Sequence, residues 1–176
     1  MKKFLSIAII LTAAVLFSCK SEKNPDEIII ETIDELPDEG PQHMGKESNS
    51  GTVKWIGGAA YHYEITRQSV DSLGTIENNG KTYYHNSVTL EVKRSDGTTF
   101  FKKTFTKANF APAVPQSFNE TGVLLGMNLE KAEGNTLRFV VNIGSPDIGN
   151  EEFVYVLMTL DNFGATKAEP YKGNMN

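Results

Sequence analysis

Cysteine is nearly absent: the 176-residue chain carries Cys19 and no other, so no internal disulfide can staple it and cysteine catalysis within a folded domain is excluded. No apolar run is long enough to span a bilayer as a helix. The most apolar stretch, Phe4 to Phe17, falls short of the roughly 20 residues that a membrane-crossing helix needs. Positive charge is not in excess, since the net charge is −5, and without a broad basic surface nucleic acid is excluded as a partner. A nucleophile elbow, a phosphate loop and a zinc-protease helix are all missing, which removes the enzyme classes that announce themselves by motif. Strands do not alternate with long helices, so a parallel α/β fold is excluded. There is no internal repeat.

What is present begins with Lys2 and Lys3, the apolar stretch after them, and Leu16-Phe17-Ser18-Cys19. A charged start, a short apolar core and a compact ending are the features of a secretory signal peptide. The ending resembles a bacterial lipobox, although Phe17 stands where that pattern usually has a smaller side chain. The resemblance implies that residues 1–18 are a lipoprotein signal peptide and that Cys19 becomes the lipid-bearing first residue of the mature chain. It also implies a place in the cell envelope, at the outer membrane or cell surface rather than the inner membrane. Two or more acyl chains of the palmitate kind, each contributing ~0.8 kcal/mol per buried methylene, make such an anchor effectively permanent.

Residues 19–50 read as an acidic tether. Between Lys20 and Ser50 there are three lysines against nine acidic residues, whereas Gly51 to Asn176 carries twelve basic against thirteen acidic ones. Such a polar segment, if flexible, spans on the order of 30 Å. Within it Ile29, Ile33 and Leu36 fall at helical spacing among acids, which predicts a short helix or edge strand docked on the domain.

Residues 51–176 read as one β domain. Thr52 to Ile56 is a short strand, and Tyr61, Tyr63 and Ile65 then share one face while His62, Glu64 and Thr66 take the other. Asp71 to Gly74 and Asn78-Asn79-Gly80 are turn signals, with a brief strand around Lys81 to Tyr84 after the second. The sharpest local prediction is a hairpin from Val88 to Phe105. A loop of Asp96 and Gly97 sets Arg94 against Thr99, Val92 against Phe101, Leu90 against Lys103 and Val88 against Phe105. Its other face pairs Thr89 with Thr104 and Glu91 with Lys102, as cross-strand chemistry favours.

Thr106 caps a helical turn that Pro112 and Pro115 prevent from lengthening. Val123 to Lys131 resumes as a strand in which Gly126 predicts a bulge or a close backbone approach. Leu137, Phe139, Val141 and Ile143 alternate with polar residues. Phe153 to Leu160, apolar on both faces, predicts a central or covered strand, and a last short strand lies near Ala165 to Glu169. The fold class is therefore all-β, an antiparallel meander of eight or nine strands closed as a barrel or folded as a sandwich, with one short helical crossover.

The run Arg94-Ser95-Asp96-Gly97, Phe100-Phe101, Phe105-Thr106-Lys107 and Phe110, with Tyr61-His62-Tyr63-Glu64-Ile65 and the lipobox leader, resembles a family of small bacterial lipoproteins catalogued as a domain of unknown function. The resemblance implies fold and location, and it transfers no catalytic residue.

Candidate chemistry is thin. Lys93, Arg94, Lys102 and Lys103 gather positive charge around the Asp96 turn beside Phe100, and these five residues are the sequence's candidate for meeting an anionic lipid, a glycan or a peptide. His62 and Glu64 share a strand face, and with His85 they are the groups a metal-dependent hydrolase would use. Their spacing fixes no third ligand, so a solvated strand face is the preferred reading. Asp147, Asn150, Glu151 and Glu152 lack the ligand rhythm of a calcium loop. No metal and no cofactor is implied. The expected function is that of a lipid-anchored, non-enzymatic module, held at the membrane through Cys19, that binds an envelope protein, glycan or small ligand or serves a structural role.

Overall fold

A computed structural model describes residues 40–147, 149 and 152–173. Cys19, the leader and the Ile28 to Leu36 cluster lie outside them. The described residues belong to one compact unit, Asp38–Asn176. Ten strands run antiparallel: β1 Glu47–Trp55, β2 Ala59–Ser69, β3 Thr75–Asn78, β4 Lys81–Tyr84, β5 Asn86–Arg94, β6 Thr99–Thr106, β7 Val123–Glu133, β8 Thr136–Gly144, β9 Phe153–Asp161 and β10 Thr166–Pro170. They form one four-stranded sheet in the order β1-β2-β5-β6, a second in the order β10-β9-β8-β7, and the small β3-β4 hairpin. Of the two architectures the alternation allows, the chain takes the sandwich; the sheets do not close into a barrel.

Two differences from the sequence reading have plain causes. The strand beyond the expected eight or nine is β3, whose four residues Thr75-Ile76-Glu77-Asn78 hold one apolar side chain and show no alternation. β1 starts at Glu47, inside the segment read as tether. Its first inward positions hold Glu47, Asn49 and Gly51, paired with Arg67, Ile65 and Tyr63, so no apolar signal appears before Val53.

The hydrophobic periodicity builds the core. Tyr61, Ile65, Val88, Leu90, Val92 and Phe105 line the inner face of the first sheet, and Leu137, Phe139, Val141, Ile143, Val156, Met158 and Leu160 line that of the second; all are buried. Each such side chain contributes roughly 1.5–3 kcal/mol when fully withdrawn from water. The crossover between β6 and β7 plugs this core with Phe110, Ala113 and Val114, and Phe110 stacks on Phe105 at 5.7 Å. The expected cap is present, with the Thr106 amide donating to Asn109 Oδ1 at 2.8 Å. A short helix, α1 Gln116–Thr121, completes the crossover. As its two-sided apolar pattern predicts, β9 lies inside its sheet between β8 and β10. Its outward Leu157 is buried.

The β5-β6 hairpin keeps the predicted register from Val88–Phe105 to Val92–Phe101. At the tip it departs. Three residues, Ser95 to Gly97, form the loop, with the Gly97 amide donating to the Arg94 carbonyl at 2.9 Å and the Arg94 amide to the Thr98 carbonyl at 2.8 Å. Gly97 takes φ +86°, the left-handed conformation that ends three-residue hairpin loops. Arg94 therefore meets Thr98 rather than Thr99. A bulge at Phe100 absorbs the difference, so Lys93 pairs with Thr99. The bulge turns Phe100 against Trp55 at 5.2 Å and Tyr61 at 5.8 Å. A second bulge falls between Leu124 and Gly126. Of the two meanings predicted for Gly126 it is the bulge that holds, because a β-carbon there would meet nothing within 4 Å.

Candidate functional site

Period-two alternation sends the polar residues of β1, β2, β5 and β6 to the outer face of the first sheet, where register brings them into rows. Thr52 stands across from His62, His62 from Lys93, and Lys93 from Thr99; the next row is Ser50, Glu64, Glu91 and Lys102. A third row is tied by hydroxyl pairs, Ser48 with Thr66 at 2.9 Å and Thr89 with Thr104 at 2.8 Å. Between the first two rows lies a depression of about 300 Å³ lined by Ser50, Thr52, His62, Glu64, Glu91 and Lys93.

Its electrostatics are uneven. Glu64 and Glu91 face each other across neighbouring strands, an arrangement that destabilises a sheet unless the charges are met. Glu91 is met by Lys102 Nζ at 3.3 Å and Lys93 Nζ at 3.6 Å, and Thr99 donates its hydroxyl at 3.3 Å. The Glu91 carboxyl is held below its ordinary value: desolvation by its neighbours pushes it up, and the Lys102 hydrogen bond and the two ammonium charges outweigh that. Glu64 has no ion pair or side-chain hydrogen bond among the described residues. His62 Nδ1 and Thr52 Oγ1 lie 2.9 Å apart, a hydroxyl–imidazole contact open to solvent.

The five candidate residues of the hairpin divide between two faces. Lys93 and Lys102 share Glu91 on the outer face. Arg94 lies over the Phe100 ring at 5.2 Å and donates to the Thr99 carbonyl at 3.2 Å. Lys103, paired with Leu90, reaches over the Phe105 ring at 5.0 Å on the other side. His62, Glu64 and His85 are not brought together. His62 pairs with Lys93, whereas His85 directly precedes Asn86, which pairs with Ser69 seven residues along β2. Among the described residues no group of His, Cys, Asp and Glu is placed to hold a metal. Asn150 and Glu151 lie outside the described residues, and Asp147 accepts from the Gly149 amide at 3.3 Å.

The outer face of the second sheet is crossed by the C-terminal segment. The Tyr171 amide donates to the Tyr155 carbonyl at 3.3 Å and its hydroxyl to Glu130 Oε1 at 2.9 Å, beside the Glu130–Arg138 pair at 3.0 Å.

The residue that motif reading missed is Arg67. It continues the inward series Tyr61, Tyr63, Ile65, and that was its signal: a charge at an apolar-face position. With Glu47, Asn49, Gly126, Asn128 and Asn142 it lines a crevice of about 180 Å³ beside edge strands β1 and β7.

Among the described residues no helix is long and apolar enough to cross a membrane. A family model described as a domain of unknown function (DUF4738) matches residues 29–167. No curated protein matches the chain.

Proposed function

The chain belongs to the DUF4738 family, a domain of unknown function, and from that premise we propose that it is a lipid-anchored module of the cell envelope that binds its ligand on the outer face of the first sheet without transforming it. Anchoring rests on the signal-peptide pattern of the leader and on the resemblance of Leu16-Phe17-Ser18-Cys19 to a lipobox. Binding rests on one observation: the outer face of the first sheet presents a depression of about 300 Å³ lined by hydroxyl, imidazole and charged side chains, and in it the Glu64 carboxylate has no ion pair or side-chain hydrogen bond among the described residues. Interleaved hydroxyls, two carboxylates, an imidazole and an ammonium suit a hydroxyl-rich ligand such as an oligosaccharide, which both gives and accepts hydrogen bonds.

The test uses an oligosaccharide array probed with the full chain and with a His62→Ala, Glu64→Gln, Lys93→Gln variant. Saccharide binding that the variant loses supports the reading. No binding by the natural sequence, or equal binding by both, removes the face from consideration. Membrane retention is scored separately: Cys19→Ala moves the protein to the soluble fraction, and unchanged retention refutes the anchor.

A hydrolytic reading has one contact in its favour, the Thr52–His62 pair at 2.9 Å. Turnover of a chromogenic ester that His62→Ala abolishes would favour it over simple binding.

A further inference from the structure

Arg67 is a cation whose surroundings do not complete it. Its side chain is 11% exposed and Nη2 lies 3.1 Å from Glu47 Oε2. Nε and Nη1 are buried and make no hydrogen bond among the described residues. A guanidinium keeps its charge at any physiological pH and offers five donors in a planar fork. Burying it with most of that fork unused is unfavourable unless something supplies acceptors.

Glu47 supplies one contact, and its own side chain is 74% exposed. It is a surface carboxylate leaning onto the fork, not a built-in counter-ion. Asn142 lines the same crevice, and its carboxamide Oδ1 is buried and likewise has no partner among the described residues. Asn142 stands across from Gly126, where no side chain fills the space above the bulge. Asn49 is already engaged, with Nδ2 donating to the Met127 carbonyl at 3.2 Å and to Asn128 Oδ1 at 3.0 Å. The crevice is therefore bordered by residues that hold buried donors of fixed positive charge and one buried acceptor, none of them hydrogen-bonded among the described residues. Its volume is about 180 Å³, room for a small organic acid.

We propose that this crevice is a binding site for a small carboxylate bearing a hydroxyl or ammonium beside the acid group. The carboxylate pairs with the Arg67 fork, the neighbouring donor reaches Asn142 Oδ1, and Glu47 is the group displaced. Both edges of the fork include Nη2, so a carboxylate bound through two nitrogens meets Glu47 there. The assignment goes beyond the saccharide reading and uses none of the residues mutated in its test. Either can fail while the other stands.

The experiment titrates the ¹⁵N-labelled full chain with glycolate, with acetate as the acid lacking the extra donor and sodium chloride as the ionic control, following the Arg67 Nε–H resonance. Glycolate is expected to shift that resonance saturably. Acetate is expected to bind about tenfold more weakly, the worth of one hydrogen bond to a buried acceptor. Glu47→Gln, on an exposed side chain that leaves the fold intact, is expected to tighten glycolate about threefold or more by removing the competing charge. Arg67→Lys is expected to abolish saturation, because an ammonium cannot offer the planar fork. A linear, unsaturated drift overturns the proposal, as does an equal shift with chloride. An affinity unchanged in Glu47→Gln overturns it even if Arg67→Lys does not fold.

Discussion

The carboxamide of Asn86, at the start of β5, donates to the carbonyl of Leu124 in β7 at 2.9 Å, and so joins the two sheets through a buried hydrogen bond. The same side chain accepts from Ser69 Oγ at 2.8 Å and is 1% exposed. Replacing it with alanine removes a donor from the Leu124 carbonyl and an acceptor from Ser69. The expected loss for Asn86→Ala is about 3 kcal/mol. Asn86→Asp should lose at least as much at neutral pH, since a carboxylate would face a carbonyl. Chemical denaturation measures both, and an alanine variant as stable as the natural protein would show that the tie contributes nothing.

Gly51 is held to glycine by its cross-strand neighbour. A β-carbon there would lie 2.7 Å from the Tyr63 hydroxyl oxygen and 2.9 Å from two of its ring carbons, so the ring must move. At Gly144 the same carbon would run into the Glu152 carbonyl and the Phe153 backbone, which cannot swing aside. Gly51→Ala should therefore cost about 1 kcal/mol and Gly144→Ala about 3 kcal/mol or more. The order of the two midpoints in urea is the check, and a reversed order contradicts the steric argument.

His85 is held below its ordinary value of 6.5, first by burial and then by the charge of Lys107. Lys107 is fixed nearby because its ammonium donates to the carbonyls of Asn119 at 2.7 Å and Gly122 at 2.6 Å, at the end of α1. An imidazole whose folded pKa is lowered takes up its proton more readily when unfolded. Its contribution to stability is complete above the unfolded value of 6.5 and declines as pH falls through it. Between about pH 7.5 and pH 5.5 the natural protein should lose more stability than His85→Gln. Parallel declines would trace the effect to another group.

Trp55 is the single tryptophan, 4% exposed, and packed edge-on against Phe100 and Tyr61 at 5.2 and 5.1 Å. Its fluorescence reports on that cluster alone. Phe100→Ala should shift the emission to longer wavelength and cost about 2 kcal/mol, from two lost aromatic contacts and the area they cover. An unmoved emission maximum would mean that Phe100 does not shield the indole.

The central register of the β5-β6 hairpin was legible in the sequence because its determinants are local. Thr89 seeks Thr104, Glu91 seeks Lys102, and Val88 and Val92 seek phenylalanines across a short loop. The tip was less legible, since a two-residue and a three-residue loop both accept Asp96-Gly97 and the choice is settled by the bulge that carries Phe100 onto Trp55. The start of β1 was hidden because an edge strand can place Glu47 and Asn49 at inward positions when they meet Arg67 and β7. The Arg67 crevice is assembled from β1, β2, β7 and β8, and no stretch of chain short enough to be a motif contains it. The outer-face residues His62, Glu64, Glu91 and Lys93 were each readable as exposed, but their shared depression depends on pairings between strands remote in sequence.

The residues just before β1 are tied down by backbone bonds to a different hairpin. The Gln42 amide donates to the Thr82 carbonyl at 2.8 Å and the Tyr84 amide to the Gln42 carbonyl at 3.0 Å, while the Met44 amide donates to Ser69 Oγ at 2.9 Å. Any tension arriving along the chain from residues ahead of Gly40 therefore loads β4 and the end of β2 before it reaches β1. These bonds act as a strain relief, as at the sleeve of a cable. The Arg67–Glu47 contact, only a few residues further on, lies behind it, so a pull on the residues at Gln42 to Met44 is resisted before it can peel the strand that carries Glu47.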